Sequence, residues 1–260
     1  MDNFSSGIYK KRAIELIRDT KPSPLLVSLC YFIISAFVSV VTPLLTGYDG
    51  LLSGLSNTVQ AMITAGRTGM SQGEVATLLQ QNLHMGGMLL SLALNLCLTI
   101  ISVGFSWYCL NVARGEKPSV MSLFDGFGSF FKIIWLNIVM SFFIFLWSLL
   151  LIVPGIIAAI RYSQAVNVMR DHPNYGALEC INESKEIMRG NKLNYFMLTL
   201  SFAGWIIIGV ALIMLSPVPV VGSALDIWVV PYMGIATALF YVHLTSGKIP
   251  ERDPRDYDEF

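Results

Sequence analysis

Four uncharged apolar stretches govern what this chain can become: 24–45, 86–110, 133–153 and 193–215, of 22, 25, 21 and 23 residues. Each is close to the ~20 residues that an α-helix needs to cross ~30 Å of hydrocarbon. A fifth stretch, 224–244, carries a single charge at Asp226. Nothing between them is long enough to bury a separate soluble core. Across all 260 residues, 54% are hydrophobic and 13% charged, with mean hydropathy +0.63, too little polar surface for a soluble chain of this length. The first stretch begins after 23 residues and is not followed by a small-residue cleavage pattern, so it reads as an uncleaved span.

The basic residues set the topology through the positive-inside rule. Lys10, Lys11, Arg12, Arg18 and Lys21 precede the first span, and Arg114, Lys117 and Lys132 follow the second; Arg67 alone occupies the connection between them. The stretch "LLLIVPGIIAAIRYSQAVNVM", residues 149–169, then decides the rest. If it crosses once, Arg170, Lys185, Arg189 and Lys192 fall outside. If the chain turns back at Pro154 and Gly155, Arg67 is the one basic residue of 17 outside, Arg161 lies in the membrane, and the other 15 lie inside. The expectation is therefore six segments (24–45, 86–110, 133–153, 155–169, 193–215 and 224–244), multi-pass, with both termini cytoplasmic.

A short amphipathic helix on the cytoplasmic side is expected before each pair of spans. Residues 8–20 align Tyr9, Ala13, Leu16 and Ile17; residues 120–131 align Val120, Leu123, Phe124, Phe127 and Phe131; residues 176–189 align Ala177, Ile181, Ser184 and Met188. The fold class is all-α: a polytopic helical bundle of three hairpins. Residues 1–23 form the first cytoplasmic helix, 24–244 the membrane domain with an outer cap at 46–85, and 245–260 a disordered tail. Within the cap, the spacing from Leu51 to Ile63 and the capping-box pattern at Ser71–Glu74 predict two small helices.

Chemistry is sparse. No G-x-S-x-G, Walker loop, G-x-G-x-x-G or H-E-x-x-H occurs, and the four cysteines and three histidines lack metal-ligand spacing. The expectation is no enzyme, no cofactor and no metal, and, with zero net charge, no nucleic-acid partner. Polar residues inside the spans are the remaining candidates. The returning leg of 15 residues rises only ~22 Å, and at ~100° per residue Arg161, Gln164 and Asn167 share a ~120° sector. These three, with Asn95, form the candidate ligand site, Arg161 suiting an anion through its planar fork. Arg161 and Asp226 are alternatively expected to pair, pinning the fourth segment to the sixth. Pro154 and Gly155 are the expected turn; Pro231 frees the carbonyl of Ile227 and is the expected hinge of the last segment.

The order "LLLIVPGII", Tyr162-Ser163, "DHPNYGALECINESKEIMRGNK", "LSFAGW" and "VPYMGIATALFY" resembles the DUF975 family of bacterial integral membrane proteins, from about Arg114 to Leu244. The family's Asp-Asn-Pro stands here as Asp171-His172-Pro173. The resemblance implies a multi-pass protein of the bacterial cell membrane, without an established reaction or functional residues. A distant similarity to membrane domains that accompany glycerophosphodiesterases tilts it toward lipid. Two functions follow as expectations: binding or helping to move a lipid or other amphiphile, or an accessory or self-protection role on a membrane protein or membrane-active peptide. Oligomeric state is not legible.

Overall fold

A computed structural model of the chain describes residues 6–46, 59–60, 63, 85–215 and 225–247. The described residues contain helices and no strand: α1 (Ser6–Asp19), α2 (Pro24–Thr46), α3 (Met85–Ala113), a 3-10 segment (Val120–Ser129), α4 (Phe130–Leu150), α5 (Ile152–Tyr162), α6 (Ala165–Asp171), α7 (Ala177–Ile187), α8 (Lys192–Leu200), α9 (Ala203–Leu215) and α10 (Asp226–Ser246). Among them, six stretches are long and apolar enough to cross a membrane: Pro24–Leu44, Leu89–Ala113, Val120–Leu150, Ile152–Asp171, Lys192–Leu212 and Asp226–Ser246. Each overlaps one of the six expected segments; the third starts at Val120 rather than at 133 because it takes in the 3-10 segment. The capping-box residues Ser71–Glu74, most of the expected outer cap and most of the tail lie outside the described residues.

The chain divides into two compact units, Met1–Phe32 with Ile100–Phe260, and Ile33–Thr99. In the larger unit the hairpins are antiparallel helix pairs. Tyr31 stacks on Phe105 at 5.4 Å, and the Tyr108 hydroxyl donates to the Pro22 carbonyl at 3.0 Å. Phe143 meets Tyr162 at 6.5 Å across α4 and α5; Tyr195 meets Phe240 at 5.6 Å and Phe202 meets Tyr232 at 5.0 Å across the last pair. The reversal in residues 149–169 therefore exists, but its place differs from expectation. The chain turns at Leu151, in extended backbone, and α5 already contains Pro154 and Gly155. Pro154 fits there because the first-turn N–H groups of a helix have no intrahelical partner to lose. Gly155 serves close approach: a Cβ there would stand 2.1 Å from the Ser148 hydroxyl oxygen and 3.0 Å from the Ser148 Cα.

The three leading segments are seated in a cyclic order. The 3-10 segment lies on α3, the returning helix of the first hairpin, where the Leu123 carbonyl faces Gly104 and Gly126 faces the Ile100 carbonyl. Helix α7 lies on the returning leg of the second hairpin, with Cys180, Ile181 and Ser184 buried. Helix α1 lies on α10, the returning helix of the third. Its buried residues are Tyr9, Ala13 and Ile17; Tyr9 contacts Phe240 and shares a 2.6 Å hydrogen bond with His243 Nδ1. Lys10 reaches over to the Ser201 carbonyl at 2.9 Å.

Faces follow helix type. The 3.6-residue period places the expected residues of α1 and α7 inward. Residues 120–129 instead form a 3-10 helix, whose three residues per turn align Val120, Leu123 and Gly126. Leu123 and Gly126 are buried, while Met121, Phe124 and Phe127 are exposed, so the aromatic side expected to pack inward faces out.

Pro231 does not interrupt α10, which runs from Asp226 to Ser246, so the expected hinge is not a break. The carbonyl it frees, that of Ile227, accepts from the hydroxyl of Ser28, a fully buried residue of α2. Replacing Ser28 by alanine is expected to lower stability by about 1 kcal/mol, read as a small drop in melting temperature in detergent. An unchanged melting temperature would mean that this carbonyl finds another donor.

Candidate functional site

The fourth membrane-length stretch, Ile152–Asp171, is two helices joined at Ser163 and Gln164. Its residues explain the break. The Ser163 hydroxyl donates back to the Ile160 carbonyl at 2.9 Å, and the Ser163 N–H takes the same carbonyl, tightening the last turn of α5. The backbone groups released here are met by side chains from other elements. Ser184 of α7 donates to the Arg161 carbonyl at 2.7 Å and accepts from the Gln164 N–H at 3.2 Å, so one hydroxyl bridges the break. Trp107 of α3 donates its Nε1–H to the Val166 carbonyl at 3.0 Å. A helix interrupted at membrane depth requires such protein partners, because lipid supplies none.

A buried polar ladder runs from the break. Asn167 Nδ2 donates to Gln164 Oε1 at 3.0 Å, and Gln164 Nε2 donates to the Ser163 hydroxyl at 3.1 Å. Gln164 and Asn167 are 1% and 7% exposed. Two atoms are left over: Arg161 Nε, a donor, and Asn167 Oδ1, an acceptor, are buried without partners. Gln164 and Asn167 are thus joined directly, while Arg161 precedes them in sequence with its Nε enclosed.

The expected ion pair is not formed. No salt bridge joins Arg161 to Asp226 among the described residues. Asp226 is exposed and is the first residue of α10, where a carboxylate is favoured by the helix dipole and needs no cation. The charge that a second helix brings beside α5 is instead Lys185, the residue after the bridging serine. Its ammonium lies 5.5 Å from the Tyr162 ring centroid and donates to Asn182 Oδ1 at 2.9 Å. Burial, and then the Arg161 charge, hold the Lys185 pKa below the usual lysine range. Asn95 is not part of this group. It belongs to the other unit, donates to the Ser91 carbonyl at 2.7 Å, and lines a cavity of about 380 Å³ with Ser35, Ser39 and Thr42.

A second polar cluster had not been singled out from the sequence. Arg114, just past α3, holds both carboxylate oxygens of Asp171 at 2.7 and 2.8 Å, and the Tyr241 hydroxyl donates to Asp171 at 2.7 Å. Asp171 thereby ties the ends of α3 and α6 to α10. Lys132, at the start of α4, donates to the Pro173 carbonyl, and His172 stacks on Tyr175 at 4.5 Å. The one signal in the sequence was the Asp-x-Pro motif itself, whose three residues carry these contacts. Its satisfied geometry marks it as a structural tie. No group of three or more possible metal ligands occurs among the described residues.

Residues 148–248, which hold both clusters except for Trp107, Arg114 and Lys132, match a family described as "Protein of unknown function (DUF975)". The match assigns no reaction or ligand and does not reach the glycerophosphodiesterase-associated domains. No curated protein and no solved structure matches the chain.

Proposed function

We propose, from the premise that residues 148–248 of this chain belong to the DUF975 family, that this multi-pass protein binds and helps to move a lipid or other amphiphile at the α5–α6 break. The observation that carries this reading is the pair of orphans on the two sides of the break in a membrane-length stretch, the Arg161 Nε donor and the Asn167 Oδ1 acceptor. Each buried group left unsatisfied costs about 1–3 kcal/mol. A ligand offering an acceptor to Arg161 and a donor to Asn167 recovers that cost, whereas a purely structural kink has no need of it. The setting in a bacterial cell membrane with cytoplasmic termini is part of the same proposal. It is supported by the basic residues Arg114, Lys132 and Arg170, which gather where α3 and α6 end and α4 begins.

The test uses the full chain in nanodiscs of bacterial polar lipid, with co-purifying lipid quantified by native mass spectrometry. Arg161→Gln is expected to weaken retention at least tenfold, from the loss of charge-assisted bonds of about 1.5–3 kcal/mol. Retention equal to wild type, in a variant whose melting temperature is preserved, would refute the site. The accessory or self-protection alternative depends on the outer cap 46–85, most of which lies outside the described residues.

A further inference from the structure

Two cations that form no salt bridge among the described residues belong to residues joined through one hydroxyl, that of Ser184. Arg161 contributes the carbonyl that Ser184 bonds, and Lys185 follows Ser184 directly. Neither Arg161 nor Lys185 takes part in a salt bridge among the described residues, although Arg12, Arg114, Arg170 and Arg189 all do. Both are half-buried, and the Nε edge of Arg161 is fully enclosed. Two positive charges brought near each other and partly dehydrated repel each other, a cost that a bound anion recovers.

The two come from different elements: Arg161 from the returning leg of the second hairpin, Lys185 from the helix seated on it. Lys185 is held there by the face of Tyr162, the neighbour of Arg161, and by Asn182. The depressed lysine pKa described above agrees with this closeness.

We propose that Arg161 and Lys185 together seat a phosphomonoester headgroup. This rests on the amphiphile-binding reading and names the chemistry of its polar end. A phosphomonoester carries about −1.5 to −2 charges at neutral pH and presents three oxygens. It therefore matches two cations, one a planar fork and one a point charge, where a carboxylate would neutralise a single one.

The experiment places the full chain in phosphatidylcholine nanodiscs doped with equal amounts of phosphatidic acid and diacylglycerol. Retention of each lipid is read by native mass spectrometry for wild type, Lys185→Gln and Lys185→Arg, with inorganic phosphate as competitor. Phosphatidic acid is expected to be retained at least tenfold over phosphatidylcholine and diacylglycerol. Lys185→Gln should remove most of that preference, and Lys185→Arg should keep it, all three proteins melting alike since Lys185 is half-exposed. Displacement of phosphatidic acid by millimolar inorganic phosphate would show that the seat reads phosphate from either source; no displacement would show that the acyl chains are required, and both agree with the seat. Retention of all three lipids without preference, unchanged in Lys185→Gln, would overturn the phosphate seat and leave amphiphile binding standing. Retention of none, with no phosphate bound, would overturn both.

Discussion

Replacing Gly104 by alanine is expected to unseat residues 120–129 from α3 and to destabilise the protein by about 3 kcal/mol or more. The added Cβ would lie 2.0 Å from the Leu123 carbonyl oxygen, 2.7 Å from its carbon and 3.2 Å from the Leu123 Cα. All three atoms are backbone, so no rotamer change gives relief. Overpacking against movable side chains already costs 1–3 kcal/mol. Gly204→Ala is the matched control, since a Cβ there meets nothing within 4 Å and alanine favours a helix. Thermal melting and limited proteolysis in detergent separate the two: a large loss at position 104 beside a neutral or stabilising change at 204. Equal behaviour would mean that the 3-10 segment does not rest on Gly104.

Asp171→Ala should lower stability by a similar amount, about 3 kcal/mol, through a different cause. The carboxylate is the shared acceptor for Arg114 and Tyr241, and its own side chain is 22% exposed. Removing it strands a cation whose side chain is 31% exposed and leaves the buried Tyr241 hydroxyl without that acceptor, while three elements lose their common tie. Arg114→Ala alone should cost less, because Tyr241 keeps its acceptor. The double variant should fall well short of the sum, since both changes remove one interaction. Additive losses would show that Arg114 and Asp171 act separately.

The membrane spans, the reversal and the inward faces of α1 and α7 were legible because each is a local property, of apolar length, basic-residue distribution or the 3.6-residue period. The face of residues 120–129 was not, because the same residues align differently at three per turn. The turn at Leu151 was displaced to Pro154 and Gly155 because those residues resemble a turn, whereas one tolerates a first helical turn and the other admits Ser148. Within the site, the bond between Gln164 and Asn167 followed from their spacing of three residues. Ser184 and Lys185 did not, since they arrive from a helix twenty residues on. The Ile227 carbonyl could be predicted to need a donor, but Ser28, 199 positions away, could not be named. The Arg161–Asp226 pairing failed for the same reason in reverse: similar depth along two segments says nothing about adjacency across a bundle.

The seating of α1 on α10 carries a consequence for biogenesis. A ribosome delivers α1 before α10, so α1 has no surface to settle on until α10 has been inserted. The middle leading segments each find their support already made. During synthesis the basic, amphipathic α1 must therefore wait undocked, and its docking, through Tyr9 to His243 and Lys10 to the Ser201 carbonyl, is the event that reports the arrival of α10. A truncated product lacking the last span would display that segment undocked, a ready mark by which a quality-control protease could tell unfinished copies from finished ones.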